Sequence, residues 1–261
     1  MQVAVFASGS SGNCLLLSDS NSHILLDAGI SMRRISSGLT QAGVSWRDIG
    51  GVLITHEHSD HIFGLNTLIR HVDVPIYAPH TIANRLSGML PGIERNLRII
   101  SVGEDFCLNG LRIRAFHTPH DTDESVGYRV EGSAVFALAT DMGCVTEEVL
   151  NGLLGADTVL IEANHDPELL RLGPYPAYLK LRILSEHGHL SNPDCARLAR
   201  QLCESGTGRI ILGHLSRENN RPELALKTVG EYLEGFDVEL SCAPVSGCFV
   251  RPVGKAELCC L

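Results

Sequence analysis

Six consecutive residues, His56-Glu57-His58-Ser59-Asp60-His61, place three imidazoles and two carboxylates directly after the apolar run Gly51-Val52-Leu53-Ile54 and Thr55. Histidine is the commonest protein ligand for transition metals, and carboxylates add harder oxygen donors. Buried histidines usually occur singly, so a strand that runs into such a stretch reads as one ending in a metal-presenting loop. The plain alternative is a polar surface loop.

A pair of metal ions sharing a carboxylate needs about seven or eight donors. The stretch supplies His56, His58, Asp60 and His61, while Glu57 and Ser59 sit between them and point away. The remaining donors must come from polar residues that immediately follow apolar strands. Those residues are Asp27, His117 or His120, Asp141, Glu162 with His165 and Asp166, His189, and His214.

The elements that position these residues follow from periodicity and breakers. Val3 to Phe6 and Leu15 to Leu17 read as strands around the small-residue stretch Ala7 to Cys14. That stretch is either a tight hairpin or a loop whose free N–H groups and hydroxyls approach a phosphate or the metals, with Ser10 and Asn13 as its candidate contacts. His23 to Gly29 is a strand ending on an acid, and the segment from Ser31 to Ala42 has the spacing of a helix. Helical spacing also runs from Ile62 to His71 and from His80 to Met89, with a strand at Val74 to Ala78 between them.

From Arg98 to Ala139 the chain reads as five short strands of a largely antiparallel sheet. After Thr146 helices and strands alternate, with Ser191 as an N-cap. Asp27-Ala28-Gly29 and Asp141-Met142-Gly143 echo each other, as do Gly188-His189-Leu190-Ser191 and Gly213-His214-Leu215-Ser216. Such echoes suggest two sheet-and-helix halves whose strand ends meet at a shared edge.

Composition sets outer limits. A chain of 261 residues, 44% hydrophobic and 20% charged, can bury a full core, and one domain spanning residues 1–261 is expected. No apolar run approaches a membrane span and the N-terminus lacks a basic leader, so a cytoplasmic protein with no membrane partner is expected. None of the nine cysteines forms a Cys-x-x-Cys pair, so most read as reduced, buried thiols, and the adjacent Cys259 and Cys260 read as part of a frayed tail in preference to a redox or adventitious metal site. A formal charge of −9 argues against a broadly basic nucleic-acid surface and leaves a local one open.

His-x-His-x-Asp-His, with an Asp-Ala-Gly strand end before it and Thr-Asp-x-Gly and a late Gly-His after it, resembles the metallo-β-lactamase superfamily over nearly the whole chain. Ala7 to Cys14, Glu162-Ala163-Asn164-His165-Asp166, Gly188 to Asn192 and His214 to Asn220 resemble its YycJ/WalJ branch, related to tRNase Z and the phosphonate-pathway phosphodiesterases. The resemblance implies an α/β fold, a four-layer αβ/βα sandwich of two facing mixed sheets with helices outside. It implies two divalent ions, zinc, manganese or iron, one on His56, His58 and His120 and the other on Asp60, His61 and His214, bridged by Asp141. His120 is preferred to His117 because it lies seven residues before Gly127-Tyr128, as the third ligand does in the nuclease branches. Asp27 matches the acid that orients the ligand loop.

The implied activity is a dinuclear phosphodiesterase on nucleic acid, an exonuclease on duplex DNA, in which the ions lower the pKa of a shared water and polarise a phosphoryl oxygen. Asp60 helps to orient the attacking hydroxide. His189 resembles the proton donor of tRNase Z and Glu162 the acid that holds it, although His189 could simply cap the helix that follows. His165 and Asp166 are expected to contact a nucleotide, to bond a ligand histidine, or to cap a helix. Lys180, Arg182 and Arg217 flank the two Gly-His loops as candidate phosphate contacts. The alternative substrate is a small phosphodiester such as a cyclic nucleotide. Between Asp141 and His214 there is no insertion resembling a β-CASP domain, and no arm like that of tRNase Z is evident, which argues against tRNA-end processing and internal RNA cleavage.

Overall fold

A computed structural model describes residues 1–254 of the chain, so the Cys259 and Cys260 pair lies outside the described residues. The seven described cysteines are all free thiols. The N-terminal half forms β1 (Gln2–Ala7), β2 (Cys14–Asp19), β3 (Ser22–Leu26), α1 (Met32–Gln41), β4 (Ile49–Leu53), α2 (Ser59–Ile62), α3 (Leu65–His71), β5 (Ile76–Pro79), α4 (His80–Met89) and β6 (Leu97–Ile100). There follow β7 (Asp105–Leu108), β8 (Leu111–His117), β9 (Val126–Glu131), β10 (Val135–Ala139), α5 (Glu147–Leu153), β11 (Thr158–Glu162), α6 (Pro167–Leu172), α7 (Ala177–Ile183) and α8 (Asn192–Glu204). Then come β12 (Arg209–Gly213), α9 (Pro222–Tyr232), β13 (Glu239–Cys242) and β14 (Phe249–Pro252).

Two seven-stranded sheets result, ordered β14-β1-β2-β3-β4-β5-β6 and β13-β12-β11-β10-β9-β8-β7. Each is mixed. Hairpins join β1, β2 and β3, and β7 to β10, in antiparallel pairs, whereas β3 to β6 and β10 to β13 run parallel. Parallel neighbours need crossovers, and the helices supply them: α1, α2 with α3, and α4 in the first sheet, and α5, α6 to α8, and α9 in the second.

Alternation along the strands sorts the core into layers. Leu160 and Ile211 face inward and join Leu25, Val52, Tyr128 and Phe136 in the cluster between the sheets. Their neighbours Val159, Ile161, Ile210 and Leu212 face outward and pack on Val149, Leu198, Leu202 and Val229 of α5, α8 and α9. Ile35 and Leu39 of α1, Leu68 of α3 and Leu86 of α4 are likewise buried. The fold is thus the four-layer αβ/βα sandwich.

The carboxyl ends of the parallel strands in both sheets converge on one rim. Asp27 follows β3, Thr55 to His61 follow β4, Asp141 follows β10, Glu162 ends β11 and His214 follows β12. Asp27, Asp141 and His214 take up left-handed backbone at φ 58°, 58° and 52°. Side chains with a Cβ rarely adopt this conformation, which costs on the order of 1–3 kcal/mol per residue and collects at functional sites. It turns each strand sharply at the rim, so its last polar side chain points inward.

The helix expected over Ile62 to His71 is divided. The Gly64 N–H bonds to the Ala28 carbonyl at 2.7 Å and the Asp60 carbonyl accepts from Asn13 N–H at 2.8 Å, so the bond that would carry one helix through that point is lost. The Ala28 N–H reaches the His61 carbonyl at 2.8 Å, weaving the two strand-end loops together. Gly29 makes this approach possible: a Cβ there would lie 1.6 Å from the Asp60 carbonyl oxygen. The small-residue stretch is both things it could be, the turn of the β1–β2 hairpin and a loop laid against the rim.

The two sheets are also tied by the fully buried Tyr128, whose hydroxyl donates to the Ile54 carbonyl at 2.7 Å. Tyr128→Phe is expected to lower stability by about 1–3 kcal/mol, because a buried carbonyl loses its partner. Urea denaturation followed by circular dichroism would measure it.

Candidate metal centre

Two groups of donors face each other across the rim. Ring nitrogens of His56, His58 and His120 all lie within 4.8 Å of one another, and so do donor atoms of Asp60, His61 and His214. In the second group the Asp60 Oδ2 atom is 3.6 Å from His61 Nε2 and 3.5 Å from His214 Nε2. Asp141 stands between the groups. Its Oδ2 is 3.3 Å from His61 Nε2, and its Oδ1 is 3.5 Å from His214 Nε2 and 3.8 Å from His120 Nε2.

His61, His214, His189 and His120 are each aimed by the group that holds one ring nitrogen. Asp27 accepts from His61 Nδ1 at 2.7 Å, leaving Nε2 to face Asp60 and Asp141. Glu162 Oε1 accepts from His214 Nδ1 at 3.0 Å and from His189 Nδ1 at 2.7 Å, while its Oε2 accepts the Met142 N–H at 2.8 Å. The Gly188 carbonyl lies 3.3 Å from His120 Nδ1. Such outer partners fix tautomer and ring orientation around metal ligands. Donor atoms of Asp141, Glu162, His189 and His214 also cluster. Glu162 is nonetheless spent on N–H donors, which suits it to holding histidines rather than an ion.

The residues fit a pair of divalent cations. His56 Nε2 is fully buried with no hydrogen-bond partner, and buried Asp141 Oδ2 faces His61 Nε2 at 3.3 Å without the geometry of a hydrogen bond. A buried polar atom left unpaired costs roughly 1–3 kcal/mol, and a cation would satisfy both. The electrostatics agree. Burial opposes charge on His61, yet Asp27 and Asp141 outweigh it and hold its pKa up at about 10. Burial likewise opposes the charge on Asp141, but His214 and His61 keep its carboxyl well below the ordinary range. His56 goes the other way: burial, with His61 beside it, pushes it well below the usual imidazole value. Burial also lowers His120. For Glu162 burial is overcome by His189 and His214, and His189 is in turn raised against its own burial by Glu162.

The other candidates divide. His117 lies outside the rim, half-exposed and bonded to Glu148 of α5 at 3.0 Å. Asp166 accepts the Leu169 N–H at 2.9 Å as the N-cap of α6. His165 is 1% exposed with neither ring nitrogen bonded, and burial lowers its pKa to about 4. Asn13 is committed within the protein, with Oδ1 accepting the Gly9 N–H at 2.9 Å and Nδ2 3.0 Å from His61 Nε2. Arg182 is ion-paired with Asp121, Lys180 donates to the Arg171 carbonyl at 2.8 Å, and Arg217 reaches Ser11 Oγ at 2.7 Å. Ser10 is exposed at the edge of the loop.

Sequence reasoning passed over Thr55, whose N–H and hydroxyl both donate to Asp27, each at 2.9 Å. Its place between the apolar strand and the first ligand was the available signal. It also passed over Ser8, whose hydroxyl accepts the His214 N–H at 2.9 Å, and nothing in the local pattern marked that residue.

Two facing mixed sheets with a histidine- and aspartate-rich rim at their strand ends define a hydrolase of the metallo-β-lactamase architecture. Residues 22–215 match the model of the β-lactamase superfamily domain. The chain is 37% identical over 242 residues to the exodeoxyribonuclease YycJ of Bacillus anthracis, covering 91% of this chain and 92% of that one. It is 39% identical over 239 residues to the exodeoxyribonuclease WalJ of Streptococcus pneumoniae, covering 90% and 89%. Zinc-bound PqqB from Methylobacterium extorquens has the same fold, with a TM-score of 0.73 over 95% of this chain and 99% of that one at 18% identity. The chain belongs to the metallo-β-lactamase superfamily and, within it, to the YycJ/WalJ family.

Replacing Asp27 by Asn or Glu162 by Gln is expected to weaken zinc or manganese binding roughly 10- to 100-fold, because each holds a candidate ligand histidine by its outer nitrogen. Competition with a chromophoric chelator would measure it. Stripping divalent ions with a chelator should lower Tm, and adding them back should restore it.

Proposed function

We propose that this protein is a dinuclear metal-dependent phosphodiesterase acting as an exonuclease on duplex DNA. The observation that carries the reading is the placing of His189, held at Nδ1 by Glu162, beside two donor groups that share Asp141. The exodeoxyribonuclease names of the two relatives support the choice of substrate.

His56, His58 and His120 would hold one ion, Asp60, His61 and His214 the other, and Asp141 both. Bound there, two divalent cations supply Lewis-acid activation of a water and of the phosphoryl oxygen. The protein's own groups do the rest. Asp60 orients the attacking water through a hydrogen bond. As the P–O bond breaks, the departing alkoxide needs a proton, and His189 supplies it from Nε2, the nitrogen that Glu162 leaves free. Glu162 stabilises the imidazolium before the transfer and keeps the ring turned toward the cleft. The Gly188 carbonyl and Asp27 hold His120 and His61 in place throughout.

The formal charge of −9 confines phosphate contact to the rim. DNA binding is therefore expected to weaken as salt rises. The test is incubation of metal-reconstituted protein with end-labelled duplex DNA, single-stranded DNA, RNA and bis-p-nitrophenyl phosphate. Asp60→Ala should abolish cleavage of every substrate. His189→Ala should slow DNA cleavage about 10²- to 10⁴-fold and slow the nitrophenyl ester far less, because p-nitrophenolate leaves without a proton. No cleavage of any phosphodiester by the wild type would sink the reading. Turnover of the small ester alone would turn it toward a small phosphodiester such as a cyclic nucleotide.

A further inference from the structure

A second cleft, of about 340 Å³, opens beside the donor groups and shares Asp60 with them. Ser11 forms one wall, Arg34 at the start of α1 another, and Ser59 and Phe63 at the two ends of α2 complete it. Phe63 is 66% exposed although its neighbours Ile62 and Gly64 are buried. The bond from Gly64 to the Ala28 carbonyl, which breaks the helix, fixes the backbone on either side of this ring, so the phenyl group stands in solvent on a rigid base. Arg34 is exposed and ion-paired with no described acid. The Arg217 guanidinium overhangs the same wall through its bond to Ser11.

We infer that this cleft binds the nucleotide next to the scissile phosphate, with its base stacked on Phe63 and its non-scissile phosphate paired with Arg34. The inference rests on the phosphodiesterase reading above. Because Asp60 belongs to both sites, a strand whose scissile phosphorus lies at the rim carries its neighbouring nucleotide into the cleft. The cleft has the size of a small ligand site, in a class that begins at about 300 Å³. Its lining also suits the parts of a nucleotide. Aromatic side chains stack on any base, guanidinium groups pair with phosphates, and serine hydroxyls bond phosphate and sugar oxygens. A base held this way has left its partner strand, so the subsite selects a frayed or unpaired end over the interior of a duplex.

The test uses the manganese- or zinc-loaded protein on end-labelled duplexes, some carrying an abasic residue at one of the terminal positions. Phe63→Ala should raise KM roughly 5- to 150-fold, the range that corresponds to about 1–3 kcal/mol for stacking one base. Phe63→Trp should restore it. An abasic residue at the subsite should raise the wild-type KM by the same factor and add nothing in Phe63→Ala, since each change removes the same contact. Arg34→Ala should reduce the slope of log affinity against log salt by about one. Circular dichroism and Tm confirm that the variants are folded. Unchanged KM in Phe63→Ala, or losses that simply add, would overturn the subsite while leaving the phosphodiesterase reading standing. A wild type that cleaves neither DNA nor bis-p-nitrophenyl phosphate would overturn both.

Discussion

Two buried carboxylates that face histidines, Asp27 in one sheet and Glu162 in the other, are what the rest of the rim depends on. Each is nearly or fully inaccessible to water and each is satisfied by N–H and imidazole donors. Carboxylates so deep are tolerated only when paired, and the pairing fixes which nitrogen of His61, His189 and His214 looks outward. A preorganised set of donor atoms therefore exists before any cation arrives. The arrangement is doubled, with one such acid for each sheet, in keeping with the matched strand orders of the two halves.

Backbone strain is the counterpart of that order. Asp27, Asp141 and His214 all sit at strand ends in left-handed conformation, while the two other described non-glycine residues with positive φ, Ser20 and Asn109, lie in hairpin turns. Glycine would adopt the conformation more easily at each of the three rim positions. What holds them is the network around them: Thr55 on Asp27, Ser8 on the His214 N–H, and the histidines on Asp141.

Much of this was legible in the sequence because it follows from short-range pattern. The helix His80–Met89 and the strands Asp105–Leu108 and Thr158–Glu162 fall where periodicity and breakers place them. The dense ligand stretch and the polar residues after strands are named from the sequence, and most of them converge at the rim. What was not legible is pairing across long separations. Nothing in the local pattern from Ile62 to His71 shows that Ala28 will capture the Gly64 N–H and split a helix. Nor does anything near Arg182, Lys180 or Asn13 reveal partners inside the protein, which commit their side chains to intramolecular bonds.

The donors that converge at the rim run from His56 to His214, and their supports from Ser8 onward, with both sheets contributing. No fragment confined to one sheet holds a complete set. As the chain emerges from the ribosome, the cluster at residues 56–61 waits for His214 while some 150 residues are added. A truncated or half-folded product lacks the full constellation, so hydrolytic competence is gated by completion of the fold. For a hydrolase, that dependence is a form of quality control written into the order of the chain.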